Sequence, residues 1–412
     1  MKRIVLLSVG FPYGNHEPFL KGELNYYKQI ILASAFIGDE RSAKNNLPQG
    51  KNITLWHCPN LFFRGNKFIR TLFAVLSVFT CDFWRELFKE DIKPITIHKV
   101  IALLSYISKT NQIVAFVSKE IKRCGYSEDE LIFYSYWMDH LALAAVKLAK
   151  KNKGMAVTRC HGHDVYTRDG GYVIMQRYLT QNMDYIFPIS EDGKKTICSL
   201  FKNSEEIAQK IHVFRLGTED YGINPEPSGN DIFTIVSCSN VVPLKRVNMI
   251  FEAISQIHEF KIHWIHFGDG PDFQILKERV TSKKSGHCIK LMGRKNNEYV
   301  MKYYQSTPIH ALINLSTSEG IPVSMMEALS FGIPCIGTDV GGVHEIIQNH
   351  VNGILLSDNC TVEEVANAIR SLKFMSAERM NILRKTARKF WEDNYRASQN
   401  YKEFISYLSK EV

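Results

Sequence analysis

Residues 316–347 read STSEGIPVSMMEALSFGIPCIGTDVGGVHEII, and the alternation of apolar runs with glycines in this stretch sets the fold. The run before it, His310 to Leu315, predicts a buried parallel strand, because such strands are apolar on both faces. Ser316 to Gly320 is a short polar loop. Pro322 stands at the first helical position, where its missing N–H costs nothing, and Val323 to Ser330 continues a helix to a stop at Gly332. Pro334 to Gly337 predicts a second buried strand, and Gly341-Gly342 opens another helix at Val343. In a parallel α/β sheet, loops of this kind lie at the carboxyl ends of the strands, where ligands bind. Unpaired N–H groups at a helix N-terminus receive anions, which points to a phosphate.

Two acids carry the rest of this stretch. Glu327 follows Glu319 by eight positions, roughly 12 Å along a helix at 1.5 Å per residue. That is too far for a dyad sharing one proton and long enough to grip two ends of one ligand. Carboxylates accept hydrogen bonds in pairs, which suits the vicinal hydroxyls of sugars. A plainer account makes Glu319 a solvated acid favoured by the helix dipole and Glu327 an ordinary helix-face acid. Spacing alone leaves both open.

The same stretch resembles the E-x7-E signature of retaining glycosyltransferases with the GT-B fold, of the large family 4 type, including EALSFGIPCIGTDVGGVHEII. Ile321-Pro322 stands where that family usually has Phe-Gly, which removes one backbone N–H. The resemblance implies a donor-sugar role for Glu319, counted as catalytic, and places Glu327 on the nucleotide ribose. It turns the backbone of Gly320, Ile321 and Val323 toward the sugar and diphosphate.

With 412 residues the chain is long for one core, and two domains are expected. Its 45% hydrophobic and 23% charged residues are ordinary for a globular protein, which excludes disordered and fibrous classes. Lys2-Arg3 lead into Ile4 to Leu7, an apolar run too short for an export signal. The longest uncharged apolar run, Thr71 to Cys81, falls below the roughly 20 residues that span a bilayer. Nine cysteines without a C-x-x-C fit free thiols in a reducing cytoplasm. The net charge of +9 fits an anionic partner: a membrane surface, a nucleic acid or a sugar nucleotide. No nucleic-acid-binding signature supports the second.

In chain order, Arg3 to Val9 is a strand whose exit loop runs from Gly10 through Gly14 to Glu17, before a helix over Pro18 to Ala33. The loop lacks G-x-G-x-x-G, so a dehydrogenase-type dinucleotide fold is unsupported. FPYGNHEPFLKGEL resembles the opening of a subgroup of family 4 transferases, which implies that Gly14 contacts the donor. Asn60 to Glu90 mixes Arg64, Lys67, Arg70, Arg85 and Lys89 with Phe62, Phe63, Phe68, Phe73, Phe79, Phe83 and Trp84. This pattern suits a helix in an anionic membrane interface and also a half-buried helix. Ala156 to Arg159 is a strand running into Cys160-His161-Gly162-His163-Asp164. That segment resembles the family's His-Gly-x-Asp loop, and by resemblance His161 reaches the donor sugar as a catalytic residue. His161 and His163 lack the further ligands a zinc site needs.

Pro225 to Asp231 is the clearest linker, rich in Pro, Gly and polar residues. It divides an N-terminal acceptor domain, 1–224, from a nucleotide-sugar domain, 232–389. The second domain opens with the strand Phe233 to Cys238, then Asn240, Lys245 and Arg246. Lysine just after a strand is placed to meet a diphosphate. The family pattern is Gly-Arg…Lys-Gly: Lys245 matches the lysine, Asn240 replaces the arginine, and Arg246 is the candidate substitute. Gly268-Asp-Gly270 is a turn that shapes the site, and by resemblance Gly293-Arg294 meets the base.

The fold implied is α/β: GT-B, two doubly wound Rossmann-like domains facing across a cleft, with a C-terminal helix (390–412) crossing back to the first. The resemblance implies transfer of a sugar, with retention, from a UDP- or GDP-sugar to a glycan or polyprenyl-diphosphate-linked acceptor. The expected setting is bacterial surface polysaccharide synthesis on the cytoplasmic face of the membrane. No cofactor is expected, and with no Asp-x-Asp after a strand, no metal. A sugar-nucleotide 2-epimerase of the same fold and an inactive sugar-nucleotide-binding module are the alternatives.

Overall fold

A computed structural model of the chain describes residues 2–13, 17–35, 46–57, 67–89, 92–127, 130–166, 172–227, 232–283 and 286–410. Two compact units emerge: residues 1–214 with 401–412, and residues 215–400. That division precedes the linker expected at 225–231, of which only 225–227 are described.

Six strands build the sheet of the first unit: β1 (Arg3–Ser8), β2 (Gln29–Ser34), β3 (Asn52–His57), β4 (Leu131–Ser135), β5 (Met155–Cys160) and β6 (Tyr185–Pro188). They lie in the order β3-β2-β1-β4-β5-β6, all parallel. The second unit repeats the plan with β7 (Ile232–Cys238), β8 (Lys261–Phe267), β9 (Cys288–Leu291), β10 (Ala311–Asn314), β11 (Cys335–Thr338) and β12 (Gly353–Leu356). Their order is β12-β11-β10-β7-β8-β9, again parallel. Each sheet is therefore doubly wound, with its strand order reversing beside its first strand.

The apolar runs named above predicted β1, β5, β7, β10 and β11 within a residue or two. The opening of the chain differs. The helix expected over Pro18 to Ala33 stops at Leu24, and Gln29–Ser34 is β2. Ile30, Ile31 and Leu32 are buried on both faces there, and so short an apolar run has no period that separates strand from helix. Beyond β6, Ile211 makes a single parallel bridge to Ile186. A 28-residue helix, Ile97–Cys124, is long and apolar enough to cross a membrane. Leu103, Ile107, Ile113, Val117 and Ile121 lie in the core of the first unit, so it is a core helix.

The C-terminal helix Ala397–Lys410 starts in the second unit and from Tyr401 belongs to the first. Phe404 and Leu408 join the core cluster of Ile4, Leu6 and Tyr134. Beneath this helix lies a fully buried ion pair. Arg159 Nε is 3.4 Å from Glu23 Oε2, Tyr27 and Tyr134 donate to Glu23 Oε1 at 2.9 and 3.1 Å, and Arg159 donates to the Phe214 carbonyl at 3.1 Å. The guanidinium stacks 4.2 Å from the Phe404 ring. Burial pushes the Glu23 carboxyl up, against the pull of Arg159 and the two tyrosines. Arg159→Met would leave that carboxyl buried without its cation. Loss of one partner of a buried pair costs about 3–5 kcal/mol, and chemical denaturation of the variant should read a loss of that size.

Candidate active site

β7 and β10 are neighbours, and the chain leaves them toward opposite edges of the sheet. A crevice opens at their carboxyl ends for that reason. The loop after β7 tightens into a 3-10 turn, Pro243–Lys245, and Arg246 then takes a left-handed conformation with φ 45° before the helix Val247–Ser255. The loop after β10 carries Glu319. Their side chains meet: the Lys245 ammonium donates to Glu319 Oε1. The same oxygen accepts from Asn314 Nδ2 at 3.2 Å and from Ser316 Oγ at 2.7 Å.

The Glu319 loop is braced from several sides. The Ser316 N–H donates to Asn314 Oδ1 at 3.1 Å and the Thr317 N–H to the Leu244 carbonyl at 2.9 Å. The Gly320 carbonyl accepts from the Gly342 N–H at 2.9 Å, and the Thr338 hydroxyl donates to the Ser316 carbonyl. Arg246 completes the frame. Its guanidinium donates to the carbonyls of Leu315, Ser316 (3.1 Å) and Asp358 (2.9 Å). The candidate substitute for the missing arginine thus has its guanidinium on the carbonyls of two loops.

Pro322 is the N-cap of the helix Val323–Ser330, one position before its expected place, and Gly332 closes the turn with φ 71°. Ile321 is buried, Gly320 and Val323 half-buried, and Glu327 projects from the second turn. Asn297 Nδ2 donates to Glu327 Oε1 at 2.5 Å. Desolvation pushes this carboxyl up to about 7, and the Asn297 hydrogen bond pulls weakly the other way. Asn297 had no signal in the sequence beyond a polar helix start. Asn240 and Arg294 are exposed; Gly293 has φ 64°, and its carbonyl accepts from the Gly268 N–H at 3.0 Å. At Gly268 a Cβ would lie 1.8 Å from the Ser239 carbonyl oxygen, so only glycine lets this turn press on the end of β7. The Gly-Asp-Gly turn is thus a contact that shapes the β7 loop.

The first unit presents a different arrangement at its own reversal point. Gly14 lies outside the described residues. Glu17, with φ 50° and buried, accepts from the N–H groups of Val9 (3.1 Å), Gly10 (2.9 Å) and Phe11 (3.0 Å). It also accepts from Trp137 Nε1, on the loop after β4, at 2.8 Å. In the β1 exit loop the N–H groups of these three residues thus hold the chain's own carboxylate.

Trp137 lies between His161 and His163, with ring centroids 4.2 and 4.6 Å away. His161 is buried, while His163 is exposed. Asp164 fixes the loop, accepting from the N–H of His161 at 2.7 Å and of Met138 at 3.0 Å. Desolvation pushes the His161 imidazole pKa down, although Asp164 lies 3.9 Å from its Nδ1.

The basic aromatic segment forms helices at Lys67–Leu76 and Cys81–Leu87; residues 60–66 and 90 lie outside the described residues. Phe79, Trp84, Arg85 and Phe88 are exposed and Phe83 is buried in the core. The stretch thus divides between residues packed in the core and residues left exposed. Among the described residues no three His, Cys, Asp or Glu side chains are grouped as metal ligands would be.

Residues 223–390 match the family Glycosyl transferases group 1. The chain is 26% identical over 256 residues to the GtfA subunit of the UDP-N-acetylglucosamine–peptide N-acetylglucosaminyltransferase of Streptococcus agalactiae, covering 56% of this chain and 49% of that one. It is 26% identical over 219 residues to the amylovoran biosynthesis glycosyltransferase AmsK of Erwinia amylovora, covering 49% and 51%. The chain thus spans about half the length of each of these relatives. Over the full length of both chains it superposes on the crystal structure of Anabaena HepE in complex with UDP, with a TM-score of 0.69 at 14% identity.

The raised pKa of Glu327 has a consequence for stability. The folded protein holds this proton more tightly than the unfolded chain, whose carboxyl titrates near 4.5. The stabilisation from proton binding is complete below about 4.5 and lost as pH rises through about 7. Glu327→Gln, which stays neutral, should lose less thermal stability than the wild type between pH 5 and pH 8. Parallel melting curves across that range check this.

Proposed function

From a chain that carries a glycosyl transferases group 1 domain over residues 223–390 in a GT-B fold, we infer a retaining glycosyltransferase. It moves a sugar from a UDP- or GDP-sugar to a hydroxyl of a glycan or lipid-linked saccharide. The observation that carries this reading is the pairing of Lys245 with Glu319 across the β7–β10 crevice, with Glu327 on the helix that follows. Lysine supplies a point charge for the diphosphate, and the two carboxylates accept from hydroxyls of sugar and ribose. The first unit offers no such cation at its reversal point among the described residues lining it, where Glu17 takes up the loop's N–H groups. We therefore assign the donor to the second unit and the acceptor to the first.

In the reaction the bond from the anomeric carbon to the diphosphate oxygen breaks, and a bond to the acceptor oxygen forms on the same face. The acceptor's proton passes to the departing diphosphate. Lys245 and the N–H groups opening the helix at Val323 stabilise the charge that grows there. His161, through its ring or its backbone, is assigned to the donor sugar. This scheme needs no metal: EDTA should leave transfer intact, and a loss restored by Mg²⁺ would refute it.

The name of the Streptococcus relative and the UDP of the HepE complex favour a uridine donor, and the name of the Erwinia relative favours polysaccharide synthesis. A thermal-shift panel of UDP-N-acetylglucosamine, UDP-glucose, UDP-galactose and GDP-mannose tests the donor. A ligand at a hundred times its dissociation constant stabilises the fold by about 2.7 kcal/mol. One nucleotide class should shift the wild type and not Glu327→Ala; a shift without transfer to any acceptor would point to an inactive module, and no shift from any sugar nucleotide would remove the donor site. A donor converted to its epimer without acceptor would favour the 2-epimerase.

The acceptor's side is assigned to an anionic membrane on the cytoplasmic face. Phe79 (82% exposed), Phe88 (76%) and Ile97 (76%) stand out beside exposed Arg85 and Lys93, a pattern suited to lipid tails and headgroup phosphates. Flotation with phosphatidylglycerol vesicles should carry the protein upward, and Phe79→Ser with Phe88→Ser should abolish it. Equal flotation of both proteins would remove the membrane from this reading.

A further inference from the structure

We propose that the Lys245–Glu319 ion pair is an exchange device that couples recognition of the diphosphate to recognition of the sugar, and so discriminates the donor from the spent nucleotide. The proposal rests on the reading of the second unit as the donor site. Its starting point is that the two groups assigned to different ends of one ligand are bonded to each other. A diphosphate brought to Lys245 competes with Glu319 for the ammonium. Sharing it would set the phosphate's charge against the carboxylate in a half-buried crevice, where like charges repel more strongly than in water.

The framework decides which partner moves. Glu319 sits on a loop held by Ser316, Thr317, Gly320 and Thr338, and its Oε1 keeps Asn314 and Ser316 as donors. Lys245 ends a single 3-10 turn on a flexible four-carbon stem. Lysine therefore swings to the diphosphate and the carboxylate stays, short of one donor. A sugar hydroxyl restores that donor. UDP alone takes the lysine and restores nothing, so it binds against the re-forming ion pair. After transfer the sugar leaves, Lys245 returns to Glu319, and the nucleotide is released.

The exchange predicts opposite effects of one substitution on two ligands. Glu319→Gln removes the competitor for Lys245, so UDP should bind roughly tenfold more tightly, the weight of one charge-assisted hydrogen bond. The advantage of the sugar nucleotide over UDP should shrink in the same variant. In a Lys245→Met background, Glu319→Gln should raise UDP affinity by clearly less than in the wild type, because only the direct repulsion between the anions is relieved. Calorimetric titration with UDP and with the sugar nucleotide identified by the panel reads all three. Unchanged or weaker UDP binding by folded Glu319→Gln would mean that the ammonium serves both anions at once, and would overturn the exchange. Glu319→Asp, which withdraws the carboxylate from Lys245, repeats the test if the glutamine variant does not fold. Wild-type protein that binds neither UDP nor a sugar nucleotide would instead remove the donor-site reading itself.

Discussion

Both sheets reverse their strand order beside their first strand, and at each reversal two loops leave for opposite edges. Backbone N–H groups at those carboxyl ends have no next strand to pair with, and buried polar groups must find partners. Each unit answers with a glutamate that spans the gap. In the first, Glu17 on the β1 loop accepts from Trp137 on the β4 loop. In the second, Glu319 on the β10 loop accepts from Lys245 on the β7 loop.

The two answers differ in what they leave available. Glu17 is buried and gathers three backbone N–H groups and an indole, all neutral donors fixed by the fold. It fixes Trp137, and Trp137 packs on His161. Glu319 instead holds a partly buried lysine, a charged donor on a flexible stem. The same reversal is thus closed by neutral donors in one unit and by a charged lysine in the other, and the proposed chemistry is assigned to the second.

Charges that a sequence scan would assign to ligands turn out to be divided between site and scaffold. Arg246 stands next to Lys245, yet its guanidinium is taken up by carbonyls of two loops. Arg159 sits at the end of β5, just before His161, yet it is fully buried against Glu23 and Phe404. Its place secures the first sheet to the C-terminal helix from Tyr401 onward. Glu327 divides likewise: it faces the site, yet burial raises its carboxyl to about 7.

Most strands and the doubly wound class were legible in the chain, because buried parallel strands are continuous apolar runs and the loops between them carry glycine and proline at fixed places. Local composition was weaker where an element is short and two-sided: β2 lay inside an expected helix, since Ile30 to Leu32 has no period to read. Partners distant in the chain were not legible. That Lys245 bonds Glu319, that Asn297 bonds Glu327, and that Trp137 bonds Glu17 depend on strand order, which brings residues 74 to 120 positions apart into contact, with Asn297 and Glu327 only 30 apart. Residue type sets what a side chain can bond, and only the folded sheet sets which bond it makes.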